Sequence, residues 1–148
     1  MSGLLKPGYK PSVAPYPVEV PAIPSGEAYY FSSGSGLRYQ VLFARKKSSY
    51  RANIINFSVL DDAFENEYSE TNRGELFRII ATLVEIIRIY HEHHSLSTSY
   101  EFSGEFKQGK EPRGASIRSR LYHRVARELL APGWKLEMEG NKVLISRI

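Results

Sequence analysis

A chain of 148 residues with 42% hydrophobic and 24% charged residues has room for one domain with a substantial core. Its formal net charge of +4 favours acidic partners, and the absence of cysteine excludes disulfides, a thiolate metal site and a thiol nucleophile. No cationic segment followed by an apolar run opens the chain, and no apolar run reaches the roughly 18 residues of a membrane span, so neither signal peptide nor membrane anchor is expected.

Residues 1–26 hold six of the eight prolines, at 7, 11, 15, 17, 21 and 24. Proline fixes φ and removes a backbone donor, so this segment is expected to be an extended arm rather than a helix or inner strand. Val13, Tyr16, Val18, Val20 and Ile23 are interleaved with the prolines. A plain spacer seldom carries so many apolar side chains, so they are candidate partner-binding residues; the alternative is a disordered tail.

The remaining residues, 27–148, read as a single α+β domain. Ala28–Ser32 is a short aromatic strand. Leu37–Ala44 alternates Leu37, Tyr39, Val41 and Phe43 on one face, and Tyr50–Leu60 places Arg51, Asn53, Ile55, Phe57 and Val59 together. These two runs predict an antiparallel hairpin across the basic turn Arg45-Lys46-Lys47-Ser48-Ser49. Residues 61–70 contain five acids and no base. Asp61, Asp62, Glu65 and Glu67 could face a hard cation, but the spacing and glycine of an EF-hand loop are missing. A solvated linker at the positive end of the following helix accounts for them more simply.

Asn72 to His94 reads as a long helix, about 31 Å for roughly 21 residues. Asn72 is placed as N-cap and Glu75 completes a capping-box spacing. Leu76, Phe77, Ile79, Ile80, Leu83, Val84, Ile86, Ile87 and Tyr90 cover half the circumference; Arg78, Thr82, Glu85, Arg88 and Glu92 fill the opposite strip. So broad a stripe predicts two buried flanks, one on a sheet and one against a second helix or subunit. His91 and His94 share a face, but no third metal ligand is evident, and histidines suit the negative end of a helix. No metal site is therefore expected.

Tyr100–Phe106 alternates as a third core strand. A second helix is predicted from Ser116 to Leu130, with Ile117, Leu121, Tyr122, Val125 and Leu129 inward and Arg120, Arg124 and Arg127 outward. Arg118 falls within the apolar stripe, where it either snorkels, pairs or binds a ligand. Pro132-Gly133 stops this helix, and Trp134–Met138 with Val143–Ile148 form a closing hairpin. The fold class expected is α+β: an antiparallel sheet with two helices packed on one face, preceded by the extended Pro-rich arm.

Catalytic signatures are missing. Gly34-Ser35-Gly36 lacks the spacing and helix of a dinucleotide loop, and neither a Walker pattern nor G-x-S-x-G occurs. No enzyme and no cofactor are expected. Positive charge is concentrated instead. Lys107, Lys110, Arg113, Arg118, Arg120, Arg124 and Arg127 stand against Glu111 alone, and Arg45, Lys46, Lys47 and Arg51 form a second cluster. Guanidinium groups on one helix face suit phosphates or carboxylates, hence nucleic acid or an acidic partner; a solvated face is the third reading. No recognised nucleic-acid module is present.

The run Gly74-Glu75-Leu76-Phe77-Arg78-Ile79-Ile80-Ala81-Thr82-Leu83, then Tyr100-Glu101-Phe102-Ser103, then Arg118-Ser119-Arg120-Leu121-Tyr122-His123-Arg124 and the close Val143-Leu144-Ile145-Ser146-Arg147 follow one another in this order. From Tyr50 onward this order resembles a family of small uncharacterised α+β proteins found in bacteriophages and Bacteroidetes genomes. Ile117 stands where the family's S-R-x-x-L-Y-x-R phrase has serine, the loop before it is longer, and the arm lies outside the resemblance. The resemblance implies an α+β fold and attaches no activity. Together with the arm, it leads to the expectation of a non-enzymatic binding or assembly protein, phage-encoded and part of a virion or other large complex. Its partners would be proteins, including copies of itself, in the cytoplasm or in an intracellularly assembled particle. The alternative is a nucleic-acid-binding accessory protein using the Arg-rich second helix.

Overall fold

The computed structural model describes residues 4–5, 13–23, 26–34, 36–59, 73–103, 123, 127, 130–139 and 142–148. Its elements are β1 (Ala28–Ser32), β2 (Arg38–Lys46), β3 (Ser49–Val59), α1 (Arg73–His93), β4 (Ser99–Ser103), β5 (Trp134–Glu139) and β6 (Lys142–Arg147). The strands form a six-stranded sheet in the order β1-β2-β3-β4-β6-β5. The chain divides into two compact units. One comprises Lys10–Phe43 and Phe57–Ser95 and is called the α1 unit; the other comprises Met1–Tyr9, Ala44–Asn56 and Leu96–Ile148 and is called the β4–β6 unit.

The antiparallel two-helix expectation is overturned. β3 and β4 run parallel, with Asn53 opposite Tyr100 and Ile55 opposite Phe102, so the sheet is mixed. Among the described residues α1 is the one helix with an assigned span. The reason lies in the connection. A two-residue turn joins antiparallel strands, whereas a chain that rises through a helix returns to its starting end and continues parallel. β3 and β4 are linked through α1, and alternation along a strand is the same in either direction. The predicted second helix lies almost wholly outside the described residues; within it, His123 and Arg127 are helical.

In the α1 unit the predicted strand faces bury Tyr39, Val41, Phe43 and Phe57, and β1 adds Tyr29 and Phe31. β1 pairs antiparallel with β2, Tyr29 opposite Val41 and Phe31 opposite Tyr39. Phe31 stacks on Tyr39 at 4.9 Å between ring centres, and Tyr39 stacks on Phe57 at 5.3 Å. From α1, Ile79, Ile80, Leu83, Ile86, Ile87 and Tyr90 are buried, and Tyr90 stacks on Phe43 at 3.9 Å. Among the described side chains of α1, Phe77 departs from the predicted wheel in being exposed and Thr82, expected on the polar strip, in being fully buried, while Val84 is half-buried.

In the β4–β6 unit, β6 pairs antiparallel with both β4 and β5. Asn53, Ile55, Tyr100, Trp134, Val143 and Ile145 are buried. The Asn53 amide nitrogen donates to the Ser99 carbonyl at 3.1 Å, which ties β3 to β4 through a buried polar group with a defined partner. Leu5 bridges Leu130, and the Ala131 N–H donates to the Leu4 carbonyl at 3.0 Å.

Candidate functional site: an arm fastened to its own unit

Within the α1 unit the proline-rich segment is held at two points. The first is Tyr16, whose ring is buried and stacks on Phe31 at 6.1 Å. Its N–H donates to the Thr82 hydroxyl at 2.8 Å, and that hydroxyl donates in turn to the Arg78 carbonyl at 2.8 Å. The Arg78 guanidinium lies over the Tyr16 ring, 4.1 Å from its centre, while its Nε donates to the Ala14 carbonyl at 3.0 Å. Thr82 is buried because the arm covers it. The arm thus lies on the strip of α1 that carries Arg78 and Thr82; the predicted second helix, against which another flank was expected to pack, lies almost wholly outside the described residues.

The second point is Glu19, which extends the edge of β1. Its N–H donates to the Tyr30 carbonyl at 2.8 Å and its own carbonyl accepts from the Tyr30 N–H at 3.1 Å. The carboxylate takes both guanidinium nitrogens of Arg38, one at 2.8 Å. That bidentate hydrogen bond, and then the charge of Arg38, hold the Glu19 carboxyl below the usual carboxylate range.

Between and beyond these points the arm shows apolar side chains outward. Val20 is 57% and Ile23 67% exposed, while Val13 and Val18 are half-buried. Ile23 enters a tight turn closed by the Gly26 N–H donating to its carbonyl at 2.8 Å. A Cβ on Gly26 would stand 2.3 Å from the Pro21 Cβ, so the turn admits only glycine without rearrangement. Of the five arm residues singled out from the sequence, Tyr16 is therefore an anchor to the chain's own core, and Val20 and Ile23 are exposed.

His94 stands just past the end of α1 and binds its last turn. His94 Nδ1 lies 2.8 Å from the Tyr90 carbonyl, to which it donates, and the His94 ring stacks on Tyr90 at 3.8 Å. Among the described residues no group of three or more His, Asp or Glu side chains could hold a metal ion, and no helix is long and apolar enough to cross a membrane. Tyr29 is fully buried and its hydroxyl has no hydrogen-bond partner; burial, and secondarily Tyr90, raise its pKa.

Of the basic residues singled out, Lys107, Lys110, Arg113, Arg118, Arg120 and Arg124 lie outside the described residues, as do Asp61, Asp62, Glu65 and Glu67. Arg127 is helical and exposed. Sequence reasoning did not single out Arg78, Thr82, Glu19 or Arg38 as arm anchors. The offset of Thr82 from a broad apolar stripe was the available signal for one of them. Comparison with known proteins gives no match to a protein-family model, a curated protein or a solved structure.

Proposed function

We propose that this protein is a non-enzymatic binding or assembly protein, a phage-encoded component of a virion or other large complex, which docks through its N-terminal arm. The observation that carries this reading is the arm itself. It is fastened at Tyr16 and Glu19, and between Glu19 and Gly26 it presents Val20 and Ile23 to the outside. A segment held in place loses little further entropy on binding, so two exposed aliphatic side chains on it are an efficient docking element. The partner is a protein, including a further copy of this chain, and assembly takes place in the cytoplasm or in a particle formed there.

The test is the double change Val20→Asp and Ile23→Asp. Both positions are exposed, so thermal stability should shift by less than about 0.5 kcal/mol. The native complex purified from its source, measured by mass and composition, should lose the variant. Incorporation of the variant at wild-type stoichiometry would overturn the reading.

Nucleic-acid binding through the Arg-rich segment is the second reading, favoured by seven cations against one acid in residues 107–127. Replacing Arg120, Arg124 and Arg127 by Gln should then weaken binding to nucleic acid across sequences and lower the salt slope by about 2–3 on duplex DNA.

A further inference from the structure

The β4–β6 unit carries a second basic feature that involves neither the arm nor the Arg-rich segment. The Thr98 N–H donates to the Arg51 carbonyl at 2.8 Å, and the Arg147 N–H donates to the Thr98 carbonyl at 2.8 Å. Trp134 is opposite Arg147 in the β5–β6 register. Arg51, Thr98, Arg147 and Trp134 therefore form one lateral row at the end of this part of the sheet. Strand spacing puts the Arg51 and Arg147 backbones about 10 Å apart.

Among the described residues the two arginines of the row have no acidic partner. No Asp or Glu occurs in residues 44–56 or 96–100. The nearest acid in sequence, Glu101, is taken by Lys46 at 3.3 Å and Lys142 at 3.6 Å. Among the described residues Arg45, Lys47, Arg51 and Arg147 are exposed and have no acidic partner. Tyr50, next to Arg51 in β3, is 61% exposed, and the Arg51 guanidinium lies 5.5 Å from its ring centre. Arg147 lies over Trp134 at 5.2 Å.

We infer that this sheet end, built from Arg45, Lys47, Tyr50, Arg51 and Arg147, binds single-stranded nucleic acid. Cations alone would suit any polyanion. An exposed aromatic ring set beside a guanidinium adds a stacking platform, which a base can use and a carboxylate side chain cannot. The two arginines are separated by more than one strand spacing, so they can meet different phosphates of one backbone while Tyr50 takes a base. The Thr98 backbone lies between the two arginine positions, and its hydroxyl donates to the Arg51 carbonyl at 3.4 Å.

The experiment uses the full chain and a fluorescein-labelled oligothymidylate of about 16 nucleotides, followed by anisotropy over a range of salt. The wild type should bind, more tightly than it binds a poly-glutamate peptide of equal charge. Joint replacement of Arg51 and Arg147 by Gln should weaken binding about tenfold and reduce the slope of log K on log salt by about 1.4, close to 0.7 per phosphate on a single strand. Tyr50→Leu should weaken it about five- to a hundredfold with an unchanged slope, while Tyr50→Phe retains binding. Lys47→Gln, in the exposed turn, lowers the slope without bearing on the fold. Unchanged thermal midpoints establish that each variant is folded. The inference is overturned if the wild type does not bind the oligonucleotide at low salt, or if Tyr50→Leu binds as well as wild type. It is equally overturned if poly-glutamate binds as tightly, or if only the triple change at Arg120, Arg124 and Arg127 abolishes binding. Loss of arm docking would leave all of these readouts unmoved.

Discussion

In the α1 unit the buried side chains include seven aromatic rings: Tyr16, Tyr29, Phe31, Tyr39, Phe43, Phe57 and Tyr90. In the β4–β6 unit the described buried rings are Tyr100 and Trp134, alongside Ile55, Val143 and Ile145. The difference shows in what each unit leaves outside. Ring stacks have preferred geometries worth roughly 0.5–1.5 kcal/mol per pair beyond burial, and they offer a flat receptor for one more ring. The α1 unit uses that receptor to seat Tyr16 and so fix the arm. The β4–β6 unit is built on cross-strand pairs such as Leu136 with Ile145 and on one buried amide, and among the described residues its exposed end carries cations without acidic partners. One unit is thus specialised for holding a segment, the other for displaying charge.

The largest expected effect follows from the ring stack. Tyr90 is fully buried between Phe43 and His94, so Tyr90→Ala should cost about 3–5 kcal/mol in a denaturant titration. The exposed ring of the other unit gives the contrast, since Tyr50→Ala should change stability by less than about 0.5 kcal/mol. Similar losses at the two positions would erase the distinction between the units.

Next comes the arm anchor. Thr82→Val keeps the shape but removes the acceptor for the Tyr16 N–H, leaving a buried donor unsatisfied at a cost of about 1–3 kcal/mol. Limited proteolysis should then cut within residues 13–23 faster than in wild type. Equal cutting rates would show that Tyr16 stacking alone holds the segment.

How much of this was legible beforehand depended on whether a feature is local. The alternation of Tyr39, Val41, Phe43 and of Asn53, Ile55, Phe57 gave the buried strand faces, because side chains on a strand repeat every second residue. The run from Ile79 to Tyr90 gave the helix face in the same way. The parallel pairing of β3 and β4 was not legible, because alternation carries no direction. Nor was the placement of Tyr16, Thr82 and Arg78, which are brought together across more than sixty residues of chain. The row from Arg51 to Arg147 exists only through strand register, and Tyr50 had no signal beyond being aromatic at a strand start. The Arg-rich segment, the strongest concentration of charge in the sequence, lies, but for Arg127, outside the described residues.

A smaller effect, of opposite sign, is expected at Tyr29. Its hydroxyl is buried without a partner, so Tyr29→Phe removes an unmet polar group and should be neutral or stabilising by about 1 kcal/mol. The folded-state pKa is raised above the unfolded value near 10. The folded state therefore holds its proton more tightly, and stability declines as pH rises above about 10, through the folded pKa. Tyr29→Phe should move the alkaline unfolding midpoint upward. A midpoint unchanged by this substitution would assign alkaline unfolding to other groups.

The smallest effect concerns the arm's outer fastening. Glu19 and Arg38 form a bidentate pair at the surface, where solvent and salt screen the attraction, so little global stability rests on it. Its local consequence is directional. The Glu19 carboxyl has its folded pKa depressed, chiefly by the hydrogen bond from Arg38. Any stability it gives is present above the unfolded value near 4.5 and is lost as pH falls through the folded pKa. Below that pH the arm should keep Tyr16 seated on Phe31 while the residues around Glu19 lose protection. Hydrogen exchange at the Glu19 and Tyr30 amides, compared between neutral and acid pH, reads this after correction for intrinsic rates. Arg38→Gln should return the Glu19 carboxyl toward its ordinary value in an NMR titration and reproduce the acid pattern at neutral pH. If protection at Glu19 persists in Arg38→Gln, the paired backbone hydrogen bonds to Tyr30 hold this part of the arm by themselves, and the two fastenings reduce to Tyr16 and a strand edge.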